Sequence, residues 1–237
     1  TKKFSDAIAG KGGPGGDESW DLFDPSANSY SLVKWISTAQ ETWTKNELDV
    51  LDLVFSGDVG STQQGSIDIA FGLQYREEAF DVKRDKDSIV EFDSGGNLIK
   101  PADLLFLGGG SETSANRNAI ALFTELSVPI INKFQVNGAI RYEELENDSS
   151  FDPKISPRYE ISDNLIFRAS LSTSFREASL SQLYASGVGL QGIQDFNEDG
   201  TPKGGTTFIR IAQDGNAKLS PEESDNFNIG AIWRPQS

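Results

Sequence analysis

Between Ala119 and Arg176 apolar and polar residues alternate with a period of two. In FQVNGAIRYEE, Phe134, Val136, Ile140 and Tyr142 share one side with Gly138, and Gln135, Asn137, Arg141 and Glu143 share the other. In LIFRASLSTSFR, Leu165, Phe167, Ala169, Leu171 and Phe175 oppose Arg168, Ser170, Ser172, Ser174 and Arg176. A period of two is the signature of a strand with unlike faces. The links INK (131–133) and SDN (162–164) are short, so these strands are expected to form antiparallel hairpins. In PKISPRYE, Pro157 lacks an N–H donor and predicts a bulge or a missing ladder bond.

The pattern extends outward from this stretch. GSIDIAFGLQYREEAFD (65–81) alternates clearly. NELDVLDLVFSG (46–57) alternates less cleanly, with Leu48, Val50 and Val54 on one face and Leu51, Leu53 and Phe55 on the other. The turn-rich GDVGSTQQG joins the two. DNFNIGAIWRP supplies a last strand. A short strand SIVEF and a turn DSGGN are expected within 82–118, with LGGGSETSANRN as a loop. From Arg176 to about Ser224 the alternation stops, which predicts a connection of about 45 residues. Residues 1–28 read as a mobile Gly-rich loop. SYSLVKWISTAQ (29–40) reads as a short amphipathic helix, capped by Asn28 or Ser29, with Leu32, Val33, Trp35 and Ile36 packed in a core.

The chain has 237 residues, with 36 acidic and 21 basic side chains and a formal net charge of -15. That charge opposes a nucleic-acid partner. With no Cys and no His, disulfides, thiolate chemistry and histidine-based triads are excluded. The absence of Met suggests a piece of a longer polypeptide. No run approaches 18 apolar residues, which excludes a membrane-spanning helix but not a spanning barrel.

Three features favour a barrel in a membrane over a water-soluble sandwich. Successive strands place Arg, Lys or Glu on the polar face, as a wet lumen would; Arg141, Arg158, Arg168 and Arg176 are the expected lumen-facing cations. A strand of about 11 residues, tilted by ~40°, spans roughly 28 Å, close to a hydrocarbon core. Tight links fall at one end of the strands and longer ones at the other. Tyr142, Tyr159, Phe175 and Trp233 lie near strand ends, where aromatic girdles sit.

The order ALFTELSVPI, FQVNGAIRYE, DPKISPRYEISDNLIFRASLSTSFREASLSQLY, then LSPEESDNFNIGAIW, resembles the barrel of TonB-dependent outer-membrane receptors. The resemblance is carried by Arg141 and Tyr142, Pro153 and Lys154, Arg168 to Ser170, Phe175 and Arg176, Ser179 and Leu180, and Leu219, Pro221, Glu222 and Ser224. It covers about residues 46–236. Asp152, Glu177 and Ala178 depart from the family's usual residues at their positions.

The resemblance implies an all-β fold: about eight antiparallel strands (46–237) of a larger transmembrane barrel, preceded by a loop and short helix segment (1–45). It implies a bacterial outer-membrane location and contact with outer-membrane lipid. It also implies active uptake of a scarce solute (an iron chelate, a cobalamin or a glycan). The TonB complex would act through a plug domain that is not in this chain. The long 177–223 loop, near Tyr184, Asp195 and Arg210, is the expected ligand-facing element.

Within that loop Asp195, Asn197, Asp199 and Gly200 match the first half of a calcium loop, but the twelfth position is Thr206, not a bidentate acid. An acidic turn is the preferred reading, with calcium the alternative and no other cofactor expected. Asn147, Asp148 and Ser149 spell a glycosylation triplet of chance composition. Glu144 and Glu146 have no expected cleft, and no enzyme is predicted. The competing reading is a secreted, soluble β-sandwich that binds carbohydrate, with Trp20, Trp35 and Trp43 as stacking platforms.

Overall fold

A computed structural model of the chain describes residues 2–104, 108–146 and 148–235; Asn147 of the glycosylation triplet lies outside them. Eleven strands are present among these residues. They are β1 (Thr42–Thr62), β2 (Gly65–Arg84), β3 (Glu91–Phe92), β4 (Leu98–Lys100), β5 (Thr113–Ile131), β6 (Phe134–Glu144), β7 (Ser149–Ser162), β8 (Leu165–Arg176), β9 (Ser186–Phe196), β10 (Pro202–Asp214) and β11 (Glu222–Trp233). Three short helices accompany them: α1 (Lys2–Ile8), α2 (Tyr30–Ile36) and α3 (Leu180–Tyr184).

Seven strands form one open sheet in the order β1-β2-β5-β6-β7-β8-β11. The order follows the sequence once the inserted hairpins β3–β4 and β9–β10 are set aside, so this is an antiparallel meander. The turns at 63–64, 132–133 and 163–164 are two residues each, and Lys133 takes a left-handed conformation (φ 65°) in one of them. The connections at the opposite strand ends are 85–112, 145–148 and 177–221. The β1–β2 link is therefore tighter than GDVGSTQQG suggested, because both strands continue into that run.

Register keeps like faces together. Leu122 lies opposite Tyr142, Tyr142 opposite Phe151, Gly138 opposite Ile155, Ile155 opposite Leu171 and Leu171 opposite Phe227. This apolar face is uncovered: Ile140 is 45%, Phe167 42% and Leu171 55% exposed. A sandwich would bury these side chains under a second sheet. A continuous exposed apolar surface this wide calls for lipid or another protein. Opposite Pro157 the β7–β8 ladder skips Ser156 and Pro157, then resumes in unchanged register at Arg158↔Arg168, as a missing donor requires.

The chain divides into two compact units. One holds residues 46–79, 115–183 and 217–237, which are most of the sheet. The other holds 1–45, 80–114 and 184–216. In the latter, Val90, Ala102 and Leu104 form a core flanked by Phe92 and Val188. Two expectations are corrected here. Residues 1–28 contain α1, whose Ala7 is buried beside Leu32 of α2. Gly12 packs so closely there that a Cβ would lie 2.7 Å from Leu32 and 2.9 Å from Ala7, so only glycine fits. LGGGSETSANRN is not all loop, because β5 begins at Thr113 and Gly110 pairs with Ile89. The α2 helix forms over Tyr30–Ile36, shorter than 29–40, with the Ser29 side chain accepting from the Leu32 N–H at 3.0 Å; Leu32 is buried, but Val33 is exposed rather than packed in a core.

Leu171→Arg, on the uncovered face at mid-strand, should cost about 2–4 kcal/mol of folding free energy in lipid vesicles. Ser172→Arg, one residue along on the polar face, should be tolerated. Urea titration of the closed, full-length protein in vesicles reads the difference.

Candidate functional site

The polar face carries a connected network of charges whose members strand alternation assigns to one side. Gln74, Arg76 and Glu78 occupy successive inward positions on β2, Arg117 one on β5, and Arg141 and Glu143 two on β6. Arg76 Nη2 lies 2.6 Å from Glu143 Oε1, and Arg76 Nε 3.1 Å from Glu78 Oε1. Arg117 donates to Glu78 Oε2 from Nη2 at 2.6 Å and from Nε at 3.0 Å. Arg141 Nη2 donates to Gln74 Oε1 at 2.7 Å, and Gln74 Nε2 to Asp52 Oδ1 of β1 at 2.8 Å. Arg141 also pairs with Glu143 Oε2 and lies 6.0 Å over the Phe123 ring.

Glu177, just past β8, completes the network through Arg117 Nη1 at 3.2 Å. Three arginines and three glutamates thus balance one another. The Glu143 side chain is the most deeply buried of the six, at 2% exposure. Its Oε1 has Arg76 close by but off the hydrogen-bond direction, so the contact is ionic. Burial pushes the Glu177 carboxyl above its ordinary range against the pull of Arg117, and Glu78 adds to the rise.

Next to this network lies an open hollow of about 630 Å³ with a mixed lining, in which Asp52, Glu125, Arg141, Asp152 and Lys154 sit beside Val54, Phe123 and Ile140. The four expected inward arginines share this face. Arg158 pairs with Glu160 at 2.6 Å and Arg176 with Glu222 at 3.3 Å. Arg168 lies along Gly230 of β11, where a Cβ would meet its Nε at 3.1 Å. The arrangement is a charged face backed by an apolar one.

A family model described as TonB dependent receptor-like, beta-barrel matches residues 11–237. The chain belongs to the TonB-dependent receptor β-barrel family. Comparisons with curated proteins and with solved structures return no match. Proteins of this family are outer-membrane transporters rather than enzymes. The open seven-stranded sheet is accordingly part of a barrel wall.

The 177–223 segment of this TonB-dependent receptor barrel is more ordered than its sequence suggested. After α3, β9 and β10 form a hairpin from Ser186↔Asp214 to Phe196↔Pro202. Tyr184 closes α3, and its carbonyl accepts from Thr113 Oγ1 at 3.4 Å. Arg210 lies opposite Leu190 and donates to the Leu104 carbonyl at 2.9 Å. Asp195 lies opposite Lys203, five residues along β9 from Leu190, or roughly 17 Å at strand rise. The structure does not bring Tyr184, Asp195 and Arg210 together.

The DFNEDG run forms the hairpin turn. Asp199 Oδ1 accepts from the Thr201 N–H and hydroxyl at 3.0 and 2.6 Å, and Asn197 Nδ2 donates to Thr201 Oγ1 at 2.9 Å. These bonds hold the Asp199 carboxyl below its usual range. Among the described residues no group of three acidic side chains is arranged to hold a metal. Trp20 meets Phe4 edge-on and Lys3 lies over Trp35, within the unit that holds α1 and α2, while Trp43 of β1 stands exposed.

Sequence reading missed the network as a unit. The alternation placed Arg141 and Glu143 inward, but the partnership with Arg117 lay in a run read as loop.

Glu143→Gln should destabilise the fold by about 2–5 kcal/mol, because Arg76 and Arg141 lose their shared buried partner. Removing Asp163 from its exposed pair with Lys133 (2.9 Å) should change stability little. Glu177 gives a pH signature. Its folded-state pKa is raised, so its favourable contribution is complete below the unfolded value near 4.5 and is lost as pH rises through the folded value. Glu177→Gln should remove that part of the decline, as read by urea midpoints from pH 4 to neutral.

Proposed function

We propose that this chain forms part of the wall of a bacterial outer-membrane receptor that takes up a scarce solute, an iron chelate, a cobalamin or a glycan. The observation that carries the reading is the pairing of two unlike faces on one sheet. The uncovered apolar face suits hydrocarbon, and the charged face suits a wet passage. The long connections 85–112 and 177–221 would face the outside medium, with the two-residue turns toward the periplasm. Uptake would draw on the TonB complex through a plug domain lodged against the charged wall. Specificity would then lie in the long connections and the plug.

The test is uptake by cells expressing the full receptor. Radiolabelled ferric chelate, cobalamin and an oligosaccharide are supplied separately, with and without a working TonB complex. Uptake of one of the three should fall to background when either the receptor gene or TonB is deleted. Uptake that survives loss of TonB would overturn the proposal.

A further inference from the structure

Beyond β8 the chain folds back over the charged face instead of leaving the sheet. Arg117 on β5 donates from Nη1 to the Ala178 carbonyl at 2.6 Å while facing Glu177 Oε1 at 3.2 Å. Arg76 on β2 lies 4.0 Å from Glu177 Oε2. In the sheet β5 is three strands from β8, about 14 Å at normal strand spacing, so residues 177 and 178 must bend back toward β5 at the strand ends, with the long Arg117 side chain covering the rest of the gap. The bend lies on the polar side, because Arg76, Glu78, Arg117 and Glu143 all point there.

Two further observations fit a docked segment. The inward side chains of β5 next to Arg117 are Ala119 and Ala121, both small and both buried, and Leu180 of the segment is buried too. The segment is also stiffened locally. Ser179 Oγ accepts from the Gln182 N–H at 3.2 Å, and the Ser179 N–H donates to Gln182 Oε1 at 2.9 Å. This is a reciprocal cap at the start of α3.

We propose that residues 177–183 are a strap folded onto the charged wall and clasped by Arg117, narrowing the solute route and lifting to let a solute pass. Its role in transport rests on the receptor reading above; its geometry does not. Arg117 is suited to the task because one planar guanidinium reaches Glu78 on the neighbouring strand and the strap backbone together. The docked state also leaves Glu177 Oε2 buried without a hydrogen-bond partner, a cost that lifting would relieve.

The chain has no cysteine, so single cysteines report cleanly. In the full receptor folded into lipid vesicles, with any cysteine elsewhere in it replaced by serine, Ala121→Cys should react slowly with a water-soluble maleimide. Adding Arg117→Ala, or separately Leu180→Asp, should speed that reaction roughly tenfold or more, as expected when a local closure is lost. The second variant leaves the charge network intact, so agreement between the two excludes general damage from losing Arg117. Ile140→Cys on the opposite face should stay unreactive in every background. Unchanged labelling of Ala121→Cys in both variants, or wild-type labelling as fast as at exposed Ser179→Cys, would overturn the strap. Rapid labelling of Ile140→Cys with the strap results intact would instead contradict the membrane reading.

Discussion

Everything in the large sheet answers to one constraint: among the described residues nothing covers its apolar face. From Leu122 on β5 to Phe227 on β11 the cross-strand partners are apolar and exposed. Water would penalise that surface at about 25 cal/mol per Å². Hydrocarbon does not, but it forbids unpaired backbone groups instead. The meander meets that second demand along its interior strands apart from the break at Pro157, and leaves it open at β1 and β11, the edges of the sheet. The barrel family to which the chain belongs resolves it by closing the sheet with further strands.

The opposite face shows what the same alternation achieves when it faces inward. Charges that would be intolerable toward lipid are gathered into a neutral network of three arginines and three glutamates. Buried Glu143 is affordable only because Arg76 and Arg141 both reach it. The acidic excess of the chain is distributed differently: Asp21, Asp24, Asp93 and Asp199 sit in turns, where backbone and side-chain hydrogen bonds lower their pKa values. The charge of -15 therefore describes mainly the connections, and the inner wall is close to balanced.

How legible this was depended on side-chain size and glycine content. The β5–β8 hairpins and their faces could be read directly, since Phe134, Ile140, Phe167 and Leu171 alternate with charged or small polar residues. The β9–β10 hairpin was hidden because Gly187, Gly189, Gly192, Gly204 and Gly205 dilute its pattern, leaving Val188, Leu190, Phe208 and Ala212 too sparse to register. The α1 helix was hidden by brevity, although Phe4, Ala7 and Ile8 carry helical spacing. The network joins residues 101 positions apart, from Arg76 to Glu177. Alternation assigns each to a face, but only register and the fold-back after β8 bring them together. The ligand-facing expectation at Tyr184, Asp195 and Arg210 came from family likeness and loop length, neither of which fixes where side chains meet.

The most direct measurement of the central claim is depth-resolved quenching along β6. A bimane label is placed on single cysteines at each position from 134 to 142 in the full receptor inserted into vesicles, and quenching by brominated lipid is recorded. The account predicts strong quenching at 134, 136, 138, 140 and 142 and weak quenching at 135, 137, 139 and 141. Uniform quenching, or the opposite alternation, would contradict it.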